Sequence, residues 1–285
     1  MKKAQLSSIM GVLMLSIGIS CNKSNYNQPN TGNPPGNYHL SYGDSVFFLQ
    51  NQSNDYIITP TQQGTGTYIG FPEGIELDGN SGAINVTKSE TGLKYKISFI
   101  PTGTTDTFST NIIISGINFL DGFHVLANGD SIVYPIYNAK NSNSIPGLNN
   151  GTIFDEGSNC NSQGCTVNVG DGQINLAQTV RNGVFGATPS NNDRHEFELD
   201  YRIYDKSGKA LNTLRVKLYY FDQMSDVTQE VYDIIDSRQG TIIDASPVFN
   251  SNFPIPVSRT ASNSVTQTQG KTAKPRPPCI FIVGR

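Results

Sequence analysis

From about Tyr38 onward, short runs alternate apolar and polar residues with a period of two, the signature of half-buried strands rather than helices. Ser45–Leu49 and Asp55–Thr59 read as two strands around a polar turn at Asn51–Asn54. Ile75 and Leu77, then Ile84 and Val86, alternate on either side of Asp78–Gly82, which predicts a hairpin with one buried face. Gly92–Phe99 continues the alternation and Thr110–Ser115 closes the unit. Beyond it, Ile117–Phe123, Ser131–Tyr137 and Thr166–Val169 are candidate strands, and Asp171–Leu176 reads as a turn entering another.

The clearest pair comes later. Phe197, Leu199, Tyr201 and Ile203 alternate with charged residues, and Leu214, Val216, Leu218 and Tyr220 alternate with Arg215, Lys217 and Tyr219, around a turn at Asp205–Lys209. Setting Leu199 opposite Val216 and Tyr201 opposite Leu214 matches apolar with apolar, and places Glu198 by Lys217 and Asp200 by Arg215. His195, at the start of this hairpin, reads as an exposed surface histidine. Val227, Val231, Ile234 and Ile235 form one apolar stripe at helical spacing, which predicts a helix over 226–237 with Ser225 as its cap. Past Val257 the chain turns to Ser, Thr, Gln, Asn and Pro, and 246–285 is expected to be a mostly disordered tail. Its one apolar piece, Cys279–Val283, either joins a sheet as an added strand or ends the chain loosely. The expected fold class is all-β in the main. It comprises two β-sandwich-like domains, 38–115 and 116–245, the second carrying one short packed α-helix.

Composition agrees with strands and turns: charged residues are only 15%, and glycine is abundant at 28. No basic patch able to neutralise phosphates is present, so nucleic acid is not an expected partner. Apart from the N-terminus, no apolar run approaches the roughly 20 residues of a membrane-spanning helix.

The N-terminus changes the picture. Lys2 and Lys3 precede an apolar run from Ile9 to Ile19, and Gly18-Ile19-Ser20 lead directly into Cys21. This resembles a bacterial lipoprotein signal of the Bacteroidetes type, departing from it at Gly18, where the family usually has Leu. The resemblance implies a signal peptide over 1–20 and lipidation of Cys21. It further implies an outer-membrane anchor in the cell envelope, with the lipid as the link to the membrane. Residues 21–37, rich in Asn, Pro and Gly, then read as a disordered tether. No acidic residue follows Cys21 directly, and the sequence does not choose between the periplasmic and outer face.

A second resemblance rests on Gly74, Leu77, Asp78, Gly82, Ile84, Gly92 and Tyr95. Their spacing is similar to the immunoglobulin-like or cadherin-like repeat of bacterial surface proteins, although Asn85-Val86-Thr87-Lys88 replaces its usual Gly-Thr-Pro. That family implies a β-sandwich serving as spacer or adhesion module, with no catalytic residues to transfer.

Candidate chemistry is sparse. Cys160 and Cys165 bracket a short polar loop and, in an oxidising compartment, are expected to form a loop-closing disulfide, leaving Cys279 odd. His39, His124 and His195 are not at metal-binding spacing, and no metal, cofactor or catalytic constellation is expected. Asp155, Glu156, Asp193 and Glu196 carry a third-ranked glycoside-hydrolase reading, which needs two carboxyls flanking a bond. Asp121 and Asn128-Gly129-Asp130 offer oxygen ligands for calcium, but turn formation explains them more simply. Tyr219 and Phe221, on the face shared with Lys217, form either a ligand surface or a patch lying under a neighbouring element. The expected function is a lipid-anchored extracytoplasmic binding or structural module without catalytic activity. The alternative is a glycan- or peptide-binding lipoprotein of a nutrient-uptake system.

Overall fold

The computed structural model describes residues 38–244 and 277–285. The expected signal, Cys21, the tether and residues 246–276 lie outside the described residues. The fold is all-β and sandwich-like, and the strands follow the alternation read from the sequence. The first half contributes β1 (Val46–Phe47), β2 (Ile57–Ile58), β3 (Gly66–Phe71), β4 (Ile84–Asn85), β5 (Leu93–Pro101) and β6 (Phe108–Ile114). Then come β7 (Ile117–Asn118), β8 (Gly122–Val125), β9 (Ile132–Val133), β10 (Ile136–Tyr137) and β11 (Ile153–Phe154). After helix α1 (Asn159–Ser162) follow β12 (Ile174–Asn175), helix α2 (Leu176–Arg181), β13 (Asp193–Arg202) and β14 (Asn212–Phe221). Helix α3 (Gln229–Asp236) and β15 (Cys279–Val283) complete the set.

Two sheets dominate, ordered β1-β6-β5-β3 and β11-β13-β14-β15-β8. One core gathers Tyr38, Leu40, Ile84, Tyr95, Ile97, Phe99 and Ile114; the other gathers Phe154, Phe197, Leu199, Tyr201, Val216, Leu218, Ile280 and Ile282. All described residues belong to one compact unit.

The two halves repeat one another. Leu77 bridges Ile84 as Val167 bridges Ile174. In both turns the residue after the bridge (Asp78, Asn168) donates its N–H to the carbonyl five positions on, at 2.8 Å. Gly82 and Gly172 take φ of +72° and +75°. A Cβ on either glycine would strike the ring of Tyr68 or Phe154, within 2.8 Å. Further along, Ser89 and Thr179 donate their hydroxyls to the carbonyls of Asn85 and Asn175 at 2.7 and 2.8 Å. The same hydroxyls accept the N–H of Glu76 and Thr166, each at 3.0 Å. β4 pairs antiparallel with β2, and β12 with β9.

One feature breaks the repeat. β1 pairs directly with β6 in parallel, but its counterpart β8 is separated from β14 by β15, which runs parallel to both. All five residues of β15 are buried, four of them fully. Ile280 and Ile282 face the main core of the second sheet, while Cys279 and Phe281 pack with Tyr219, Phe221 and Val231 on the other side. A parallel strand covered on both faces is apolar at every position, which is the character of Cys-Ile-Phe-Ile-Val. Of the two alternatives, the added strand is the one found, and within the expected disordered tail Cys279–Val283 lies inside the second sheet, not at its margin.

The long hairpin keeps the expected faces but not the expected register. Leu199 lies opposite Leu214, Phe197 opposite Val216, Glu198 opposite Arg215 and Glu196 opposite Lys217, a shift of two residues. A two-residue shift preserves the inward set, so face alternation alone cannot exclude it. The loop is also longer than the five-residue turn, running from Ile203 to Leu211 with Ile203 and Ala210 buried. Helix α3 is shorter than expected, with Thr228 at its N-cap and Ser225 in a preceding 3₁₀ turn. Val231 is its buried anchor.

Candidate functional site

The sequence-derived ligand face is closed. Tyr219 is 2% exposed and Phe221 fully buried, because β15 lies beside them and α3 lies over them. The guanidinium of Arg194 sits 4.9 Å from the Tyr219 ring centroid and holds Glu230 of α3 at 2.8 Å. Lys217 pairs with Glu196 at 3.2 Å and sits 5.5 Å from the same ring centroid. Burial pushes the Tyr219 hydroxyl well above the ordinary phenol range. This cluster joins helix to sheet, and no ring face is left for a sugar.

The expected disulfide is likewise corrected: among the described residues Cys160 and Cys165 are buried and not bonded to each other, and Cys279 lies buried in β15. The loop is closed by other means. Cys165 donates its N–H to the Cys160 carbonyl at 3.0 Å, and Asp155 accepts the N–H groups of Cys160 and Asn161 at 2.7 and 3.0 Å. The Cys160 thiol is held far above the ordinary thiol range by its hydrogen bond with Cys165 and then by burial, and it donates to the Glu198 carbonyl at 3.3 Å. A neutral, buried thiol is a poor nucleophile.

The four carboxylates do not converge. Asp155 is consumed by the loop, Glu156 pairs with Arg202, Asp193 accepts the Ser190 N–H at 2.7 Å, and Glu196 pairs with Lys217. Glu156 sits at the Asp200 end of β13 and Asp193 at the other end, about 23 Å apart at 3.3 Å per residue. Glycoside hydrolysis needs separations of roughly 5–10 Å. The calcium candidates are also engaged. Asp121 accepts the Cys279 N–H at 2.6 Å, and Asp130 pairs with His124 at 2.9 Å. Among the described residues, no group of three or more His, Cys, Asp or Glu is placed to hold a metal ion, and no helix is long and apolar enough to cross a membrane. His195 is not the exposed residue expected. It shares parity with Phe197, is half-buried, and its ring centroid lies 4.8 Å from that phenylalanine's.

What the sequence reading missed is the junction between the halves. Arg238, just after α3, grips Glu90 with two hydrogen bonds of 2.9 and 2.7 Å, with side-chain exposures of 7% and 3%. Asn118 donates to Glu90 and to the Thr91 carbonyl, both at 2.9 Å. The Tyr201 hydroxyl meets Thr91 at 2.7 Å and accepts the Ile117 N–H at 3.2 Å. No spacing rule joins positions so far apart in the chain.

No protein-family model matches the sequence, and no curated protein matches it. Among solved structures, an EC1-4 fragment of Drosophila N-cadherin aligns over 64% of this chain, at 10% identity and a TM-score of 0.23. The alignment spans 48% of that cadherin fragment.

Proposed function

We propose that the protein is a lipid-anchored extracytoplasmic module that holds a rigid β-body away from the outer membrane as a structural or binding element. The observation that carries this reading is Met1–Cys21, with its paired lysines, short apolar run and small residues before the cysteine. The Asn/Pro/Gly-rich stretch to residue 37 then supplies a spacer. The body suits such a role, since its two sheets are joined through a buried ion pair and a hydrogen-bonded junction rather than through a free linker. Tyr219 and Phe221, both buried, offer no ring face on which a glycan could stack. Expressing the full chain with Cys21→Ser tests the anchor. The variant is expected to move from the membrane to the soluble fraction and to lose incorporation of labelled fatty acid. Membrane retention of the variant would overturn the reading.

A further inference from the structure

We propose that the gap between β8 and β14 is a strand-acceptor site, and that a second copy of this chain can fill it with its own Cys279–Val283 strand. The internal repeat shows the gap for what it is. β1 and β6 lie side by side in the first half, whereas β8 and β14 are held apart by a whole inserted strand. At about 4.8 Å per strand spacing, that leaves roughly 10 Å between them. The insert reaches its place through residues 245–276, a length of chain able to span about 100 Å when extended. Residues 278–285 help to seat it. The Pro278 carbonyl accepts the Lys217 N–H at 2.9 Å, and Gly284 and Arg285 donate theirs to Phe221 and Asp222 at 2.9 Å. Asp121 takes the Cys279 N–H, and Arg285 pairs with Asp222.

The site is selective for this strand. Ile280 and Ile282 enter one core, Phe281 enters the aromatic pocket under α3, and a Cβ on Gly284 would meet the Tyr220 hydroxyl at 2.7 Å. A second copy carries the same residues in the same order, so an exchanged strand makes every one of these contacts unchanged. The cost of exchange is only the loss of covalent linkage, which confers an effective concentration of roughly millimolar order.

The experiment inserts a site-specific protease sequence after Gly270 of the full chain and cleaves the folded protein. The released segment is expected to co-elute with the body and then to be replaced by an excess of labelled Lys274–Arg285 peptide. The same peptide carrying Ile280→Asp and Ile282→Asp is expected not to enter. Uncleaved chains with two different tags, unfolded and refolded together at about 1 mM, are expected to give tag-mixed dimers. Chains with Ile280→Asp are expected to give none. Failure of the labelled peptide to enter the cleaved body, or a refolded mixture holding only unmixed monomers, would overturn the proposal.

Discussion

Asp78 shows how much a single side chain can organise and how little energy that requires. Its carboxylate accepts the N–H groups of Asn80 and Ser81 and the Ser81 hydroxyl at 2.7–3.0 Å, and those bonds hold it below the ordinary carboxylate range. Because the folded value is lowered, the stabilising contribution is present above the unfolded value and is lost as pH falls through the folded one. Asp78→Ala is expected to cost about 1 kcal/mol at neutral pH, as an exposed turn-capping residue does. Urea midpoints measured across the acid range should show variant and parent converging. Asp78→Asn should lose less, since Asn168 holds the equivalent turn with an amide, accepting the Gly170 N–H at 2.9 Å. That equivalence was legible in the sequence. Leu77-Asp78, Gly82, Ile84-Asn85 and Ser89 recur at the same spacing as Val167-Asn168, Gly172, Ile174-Asn175 and Thr179. Reading each turn separately hides the repeat. The thiols lie at the other extreme. Cys160 and Cys165 lie close enough to suggest a bond, but the backbone closes their loop without one.

At the scale of elements, alternation reports which residues share a face and is silent on what lies beside them. It found β5, β13 and β14 because each has a polar side or margin to set against its core side. β15 has no polar side, so it carries no period and resembles any short apolar run. The hairpin register is ambiguous for a related reason, since shifting by two residues leaves every face intact. Phe281 is the test of what β15 contributes. It packs against Phe123 and Tyr219 with ring centroids 5.5 and 4.8 Å away, under the anchor of α3. Phe281→Ala is expected to cost about 3–5 kcal/mol. Denaturant titration should show it, with α3 and β14 amides losing hydrogen-exchange protection first. Unchanged stability would mean that β15 is not integral to the sheet.

For the whole molecule, the Glu90–Arg238 pair decides whether two repeats behave as one body. Removing one partner leaves the other charge buried without compensation, which costs about 3–5 kcal/mol, whereas replacing both with apolar residues is often tolerated. Glu90→Gln is therefore expected to separate calorimetric melting into two transitions, one for each sheet. The double variant Glu90→Leu with Arg238→Met should restore much of the stability. A single undisturbed transition in Glu90→Gln would show that the sheets are coupled mainly through other contacts.

The placement of β15 also sets an order of events in the cell. Asp121 and Cys279 meet across 158 positions, so β8 and β14 are made, and emerge, long before the strand that joins them exists. Such long-range closure slows folding, because the intervening chain must be brought round before the contact repays it. The first repeat forms its β1–β6 pairing without that strand, although Ile136, Ala139 and Ile242 from later in the chain complete its core. Until then the edge of β14 that carries Tyr219 and Phe221 lacks its neighbouring strand, with only α3 at hand to cover the rings.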